Sequence, residues 1–395
     1  MYRLLLALTL VIGLATSCKQ EESKPAENLP PVQDEVAVTK PDLELKLVDF
    51  TELNGFEQDQ MLDFYQAWQR SCAAVSRRKN LLDNQAKIKI SAEQYQKICA
   101  KLSDVNPRNL QKFIKANFRP FLVTYKGSSD GKFTSYYEAE LNASRRQSEK
   151  YRFPIYGRPA DLIEFNPHDF DENLPSKRLV GMVAGQRLIP YYTREEIFRK
   201  GYKAPVILWA DDYVDVYVMQ IQGSAVAQLD DGSRVRIGFA DTNGRKFKGI
   251  GSILLEKGLI KAGQASMGNI KKWLKQQGEK AYPHMNANQR FVFHRLIDAE
   301  GPIGAQGVPL TAGRSLAVDT NFVPLGALLW LETTGPDHEA INKMVVAQDI
   351  GGAIKGAVRG DYFWGSGHDE VLEQAGKMNA KGRYFVLLPL AANGN

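Results

Sequence analysis

From residue 119 onward the chain abandons helical spacing, and that change restricts the fold more than any other feature. Residues 119–125 and 131–138 run apolar or alternate, with Ser128-Ser129-Asp130-Gly131 as the turn between them. Val216, Val218 and Ile221 interleave with Tyr217 and Gln220, so residues 214–222 read as a strand. Residues 225–238 read as a hairpin about Asp231-Gly232. Past Pro302, strands are predicted at 316–318, 328–332, 343–347 and 383–388, with a short helix at 369–375. Further short helices are predicted at 251–257, 267–277 and 287–291. Upstream the period is different: Met61, Phe64, Tyr65, Trp68, Cys72 and Val75 recur at helical spacing, and residues 92–102 and 109–116 follow suit. The 33 glycines and 18 prolines supply turns in number. The expectation is a mainly β protein with helices, barrel-like in two parts, with the helices on the N-terminal side.

The first eighteen residues set the compartment. Arg3 provides a positive start, and residues 4–14 form an apolar run too short to span a bilayer. The run ends in Ala15-Thr16-Ser17-Cys18, which resembles a bacterial lipoprotein signal with Cys18 as the acylated first residue. Lys19 follows Cys18 where retention in the inner membrane would favour Asp, so the expected location is the outer membrane, facing the periplasm. An ordinary cleaved signal or a buried apolar helix are the alternatives. Residues 19–43, rich in Glu, Pro, Lys and Val, read as a flexible tether. Export leaves Cys72 and Cys99 as an even pair in an oxidising compartment, where a disulfide pinning two helical segments is expected.

A net charge of +6 suits a polyanionic partner, either an acidic membrane or an acidic cell-wall polymer. No zinc-finger spacing, phosphate-binding loop or arginine-rich recognition helix is visible, so nucleic acid is not an expected partner.

Three aspartates in the C-terminal third are candidates for chemistry. Asp319 ends the run Leu316-Ala317-Val318, and Asp349 ends Met344-Val345-Val346-Ala347-Gln348 before Gly351-Gly352. Asp361 lies twelve positions beyond Asp349, in Arg359-Gly360-Asp361-Tyr362-Phe363-Trp364-Gly365. Carboxylates at strand ends beside glycines can converge in a cleft. Mutual repulsion and burial against Tyr362, Phe363 and Trp364 would raise a pKa, as a general acid requires. Equally, these residues could cap turns or pair with Arg359 and Arg314; a Ca²⁺ or Mg²⁺ site lacks a consecutive acidic loop. A second constellation mixes aromatic and polar groups: Thr134, Tyr136 and Tyr137 on one predicted strand, Gln220, Gln222, Gly223 and Ser224 at the end of another, and Asn243 in the polar turn 241–245. With Trp364, such groups line polar-ligand clefts, although strand aromatics more often fill cores.

The run Val346 to Gly367, with Ser315 to Gly326, resembles a three-aspartate domain. Tyr217-Val218-Met219-Gln220-Ile221-Gln222-Gly223-Ser224, the strand at 133–137 and Pro154-Ile155-Tyr156 resemble its companion region. In order, over about residues 121–388, they are similar to the membrane-bound lytic transglycosylase A family. The resemblance implies a double-psi β-barrel domain with a second β domain inserted into it and a groove between them. It implies non-hydrolytic cleavage of peptidoglycan glycan strands, with Asp361 catalytic and Asp349 and Asp319 supporting it. No metal or organic cofactor is required. The expected division is a signal at 1–18, a tether at 19–43, a helical part and barrel start at 44–130, an inserted β domain at 131–282 and the barrel at 283–390. A monomer anchored to the membrane by lipid is expected, with other cell-wall enzymes as candidate partners. A hydrolytic glycosidase on the same barrel and a non-enzymatic wall-binding lipoprotein are the rival readings.

Overall fold

The structure, a computed structural model, describes residues 42–78, 81–82, 85–199, 204–367 and 369–390. The signal, Cys18 and the tether up to residue 41 lie outside the described residues. Leu43, assigned to the tether, already opens strand β1 (Leu43–Leu47).

Helix α1 (Leu62–Arg77) buries Phe64, Ala67, Trp68, Ser71, Cys72 and Val75, the stripe its sequence period foretold. Burying a side chain such as Phe64 contributes about 1.5–3 kcal/mol. Helix α2 (Ala92–Leu102) starts at Ser91, whose hydroxyl accepts from the backbone N–H of Gln94 at 3.3 Å. A Cys72–Cys99 disulfide ties α1 to α2, as expected. Helix α3 (Leu110–Asn117) then leads into β2 (Phe118–Tyr125) and β3 (Gly131–Ser144).

The chain next forms β4 (Phe153–Tyr156), a small sheet of β5 (Ile163–Phe165), β6 (Leu179–Ala184) and β7 (Arg187–Pro190), helix α4 (Arg194–Arg199) and β8 (Val206–Ala210). Helix α5 (Tyr213–Gln222) follows, where a strand was predicted. Tyr213, Val214 and every residue from Val216 to Gln220 are buried, so the helix is apolar on nearly all sides and its sequence shows no stripe. Its boundaries carry the signal instead: the Asp212 carboxylate caps Val214 N–H at 2.7 Å, and Gly223 ends the helix at φ +94°. β9 (Ala225–Leu229) and β10 (Arg234–Thr242) form the expected hairpin. Helices α6 (Ile250–Glu256) and α7 (Met267–Gln277) also match expectation. The predicted helix at 287–291 is absent; α8 (Tyr282–Asn286) begins one turn earlier, with Pro283 in its first turn, where the missing N–H costs nothing. β11 (Val292–Ile297) completes this region, whose core includes Leu141, Tyr217, Met219 and Leu254.

The last part comprises β12 (Ser315–Val318), β13 (Leu328–Thr334), β14 (Ala340–Asp349), β15 (Arg359–Ser366), α9 (Asp369–Lys377) and β16 (Asn379–Pro389). The sequence presented 359–366 as a glycine-flanked motif rather than a strand. β12 pairs parallel with β14 and antiparallel with β15, β15 runs parallel to β3, and β16 joins β3 to β13, which pairs with β14. The circuit β3–β15–β12–β14–β13–β16 therefore closes on itself, the double-psi barrel implied by the resemblance. Its core, shared with α1 to α3, includes Phe133, Trp330, Val345 and Val386. Gly131 lies where the barrel strands crowd: a Cβ there would fall 2.1 Å from the Val358 carbonyl oxygen.

Candidate active site

Strand register assembles the site. β15 lies between β12 and β3, so Asp361 has Ala317 on one side and Thr134 on the other. The Thr134 hydroxyl donates to the Asp361 carboxylate. Arg359, two residues back on the same strand face, donates from Nη2 to Thr134 Oγ1 at 2.7 Å. Thr134 thus links a cation to the carboxylate. Burial pushes the Asp361 carboxyl up, opposed by the Thr134 hydroxyl and the Arg359 charge.

Asp349 occupies the other side of Ala317, because β12 pairs with β14 there. The two carboxylates flank one small residue, with backbones about two strand spacings, or roughly 10 Å, apart. Asp349 Oδ2 accepts from the Tyr136 hydroxyl at 2.8 Å and Oδ1 from the Ala305 N–H at 2.9 Å. Burial pushes its pKa up to about 6; the Asp361 charge adds to this, while the hydrogen bonds from Tyr136, Ala305 and Ile350 oppose it. Burial and the same carboxylate hold the Tyr136 phenol well above its ordinary value, so it remains a donor. Its ring packs on Phe363 at 5.2 Å between centroids.

Asp319 is not part of this pair. Its carboxylate accepts from Asn321 N–H at 3.2 Å, Asn321 Nδ2 at 2.9 Å and Gly356 N–H at 2.9 Å, holding the loop that leads to β15. Of the proposed lining residues, Thr134 and Tyr136 stand with the carboxylates, and Trp364 is half-buried beside Tyr362. Tyr137 is buried, and its N–H donates to Gln222 Oε1 at 3.2 Å. Gln220 is also buried, where its oxygen accepts from Arg194. Asn243 has no exposed surface: its Nδ2 donates to the Tyr192 and Gln289 carbonyls, each at 2.8 Å, and its Oδ1 accepts from Phe291 N–H at 2.9 Å. Ser224 is buried next to Gly223, and a Cβ on Gly223 would meet nothing within 4 Å.

Sequence reasoning left open a pairing of Arg359 with these aspartates but missed Thr134 as the group that joins Arg359 to Asp361. It also missed Glu138, fully buried between the Arg236 guanidinium at 2.8 Å and the Ser366 hydroxyl. The two β regions meet close to the carboxylates: a Cβ on Gly352 would lie 3.6 Å from Phe247 Cβ and 3.7 Å from Arg290 Nη1.

A closed barrel with two buried carboxylates of raised proton affinity beside a second β region suits an enzyme that cleaves glycans by acid catalysis, and the relatives it resembles are lytic transglycosylases. The MltA specific insert domain matches residues 132–295 and the 3D domain matches residues 314–388. MltA from Neisseria gonorrhoeae is 31% identical in a structural alignment covering 90% of this chain and 95% of that one, with a TM-score of 0.76. The membrane-bound lytic murein transglycosylase of Agrobacterium tumefaciens aligns with 27% identity over 87% and 97% of the two chains, with a TM-score of 0.75. Membrane-bound lytic murein transglycosylase A of Escherichia coli K12 is 29% identical over 272 residues, 67% of each chain. The chain belongs to the membrane-bound lytic murein transglycosylase A family.

Proposed function

We propose that the protein cleaves the β-1,4 bond between N-acetylmuramic acid and N-acetylglucosamine in peptidoglycan and leaves 1,6-anhydromuramic acid ends. The observation that carries this reading is the Arg359–Thr134–Asp361 chain beside the Tyr136–Asp349 pair. Asp361, whose proton affinity burial raises, gives a proton to the glycosidic oxygen as the anomeric bond breaks. The same carboxylate then takes the proton of the muramic acid C6 hydroxyl as O6 bonds to the anomeric carbon. The proton returns to Asp361, and no water is consumed. Intramolecular attack supplies an effective molarity of about 10⁵ M or more, so no second nucleophile is needed. Asp349, held by the Tyr136 hydroxyl, orients the sugar, and Asp319 keeps the loop before β15 in place.

Residues 131–282 supply one wall of the groove, and residues 44–130 with 283–390 supply the barrel. A lipid on Cys18 holds this body to the outer membrane from the periplasmic side, and the tether gives it reach to the glycan strands. The test is mass spectrometry of fragments released from sacculi by a soluble form lacking Cys18, beside Asp361→Asn. Products one water lighter than reducing-end fragments are expected, falling about 10²–10⁴-fold in rate in the variant. Reducing ends from the unsubstituted protein would overturn the reading in favour of a hydrolase.

A further inference from the structure

The catalytic row has a second row beside it. Asp361, Thr134 and Asn379 are direct partners across β15, β3 and β16. One pleat along the same face, the direct partners are Arg359, Lys132 and Lys381. Like charges placed opposite one another on adjacent strands repel, and Asp361 offsets Arg359 but neither lysine of this row. Among the described residues neither Lys132 nor Lys381 meets a carboxylate, and both are exposed. Arg359 is already oriented towards the catalytic row through Thr134. The positive tract continues past Asn379 into a cavity of about 1040 Å³ whose wall includes Lys272 and Lys377. Within that wall Lys275 pairs with Asp215 at 2.8 Å, whereas Lys272 and Lys377 meet no carboxylate among the described residues.

We propose that the Arg359–Lys132–Lys381 row is an anion subsite for carboxylates carried on the lactyl side of muramic acid. The inference rests on the transglycosylase reading and extends it to substrate choice. N-acetylated sugars are uncharged along the glycan backbone, so a cation row beside the scissile bond has nothing to pair with there. The lactyl ether of muramic acid provides the charge, either as its own free carboxylate or through the acidic stem peptide attached to it. The row lies two residues from Asp361, about 7 Å along the strand, on the face where the bond is cut. Exposed ion pairs are individually weak, so the subsite adds preference rather than the bulk of the affinity.

The test measures dissociation constants for the full-length protein in detergent, in an Asp361→Asn background that prevents turnover. Three ligands are compared: soluble glycan strands bearing stem peptides, the same strands stripped by an amidase to free lactyl carboxylates, and neutral chitohexaose. Adding Lys132→Gln and Lys381→Gln is expected to weaken peptide-bearing strands about tenfold and chitohexaose less than twofold. Lys132→Arg with Lys381→Arg restores the affinity. A loss confined to stripped strands assigns the free lactyl carboxylate, a loss confined to peptide-bearing strands assigns the stem, and a loss on both but not on chitohexaose shows that the row takes either carboxylate. Equal loss on all three ligands, or loss on none, overturns the subsite. These binding outcomes do not depend on product chemistry, so reducing ends from the wild type would sink the reaction reading separately.

Discussion

Replacing Asp349 by Asn separates what stabilises this fold from what the site needs for chemistry. Asp349 rises from an ordinary 3.8 to about 6, because burial disfavours its charge and Asp361 repels it. A raised acid binds its proton more tightly when folded. Its contribution to stability is therefore fully present below pH 3.8 and is lost as pH rises through about 6. At about 1.4 kcal/mol per pH unit, that interval corresponds to a penalty of ~3 kcal/mol at neutral pH. Asn has the same shape without the charge. Its Oδ1 can keep the Ala305 N–H, and its Nδ2 can donate to the Tyr136 oxygen once that hydroxyl rotates. Asp349→Asn should thus raise the unfolding free energy by about 1–3 kcal/mol at pH 8 and leave it unchanged near pH 4, while anhydro-product formation falls. Urea unfolding of both proteins at pH 4, 6 and 8 reads this directly. A difference independent of pH, or one largest at pH 4, would refute the argument that a disfavoured charge is stored here.

Three further perturbations test other parts. Cys72→Ser with Cys99→Ser opens a 27-residue loop and should cost ~3 kcal/mol in urea unfolding; an unmoved midpoint would show that helix packing alone fixes α1 against α2. Arg314→Met strands the buried Asp59 carboxylate, which now receives two guanidinium hydrogen bonds of 2.8 Å each. A loss of about 3–5 kcal/mol in unfolding free energy is expected, and a neutral result would mean that Asp59 finds another partner or a proton. Thr134→Val removes a hydroxyl that favours ionised Asp361, so the acid form should persist to higher pH and the alkaline limb of kcat/KM should move upward. A stationary limb would remove Thr134 from the proton-handling chain.

Part of the sheet structure was legible: β2 and β3 from their apolar or alternating runs, and the β9–β10 hairpin from its Asp231-Gly232 turn. Alternation misled at α5, where burial on nearly all sides erases the helical stripe and leaves the Asp212 cap and Gly223 as the informative residues. The candidate site divides along the same line. Asp349 and Asp361 are far apart by turn and loop, and only the pairing of β12 with both neighbours sets them about Ala317. Gln220 and Asn243 have the chemistry of glycan contacts, yet both are buried, Gln220 accepting from the Arg194 guanidinium and Asn243 satisfying interior backbone groups. Residue type alone does not say which way such a side chain faces.

β3 has a mechanical consequence. Its first half, through Glu138, pairs with β15, and from Ala139 to Ala143 it pairs with β9. The barrel and the inserted sheet thus share one unbroken beam rather than a linker. Because the partner of β3 changes from β15 to β9 between Glu138 and Ala139, any change in the angle between the two parts is carried by a bend of β3 at that point rather than by a loop.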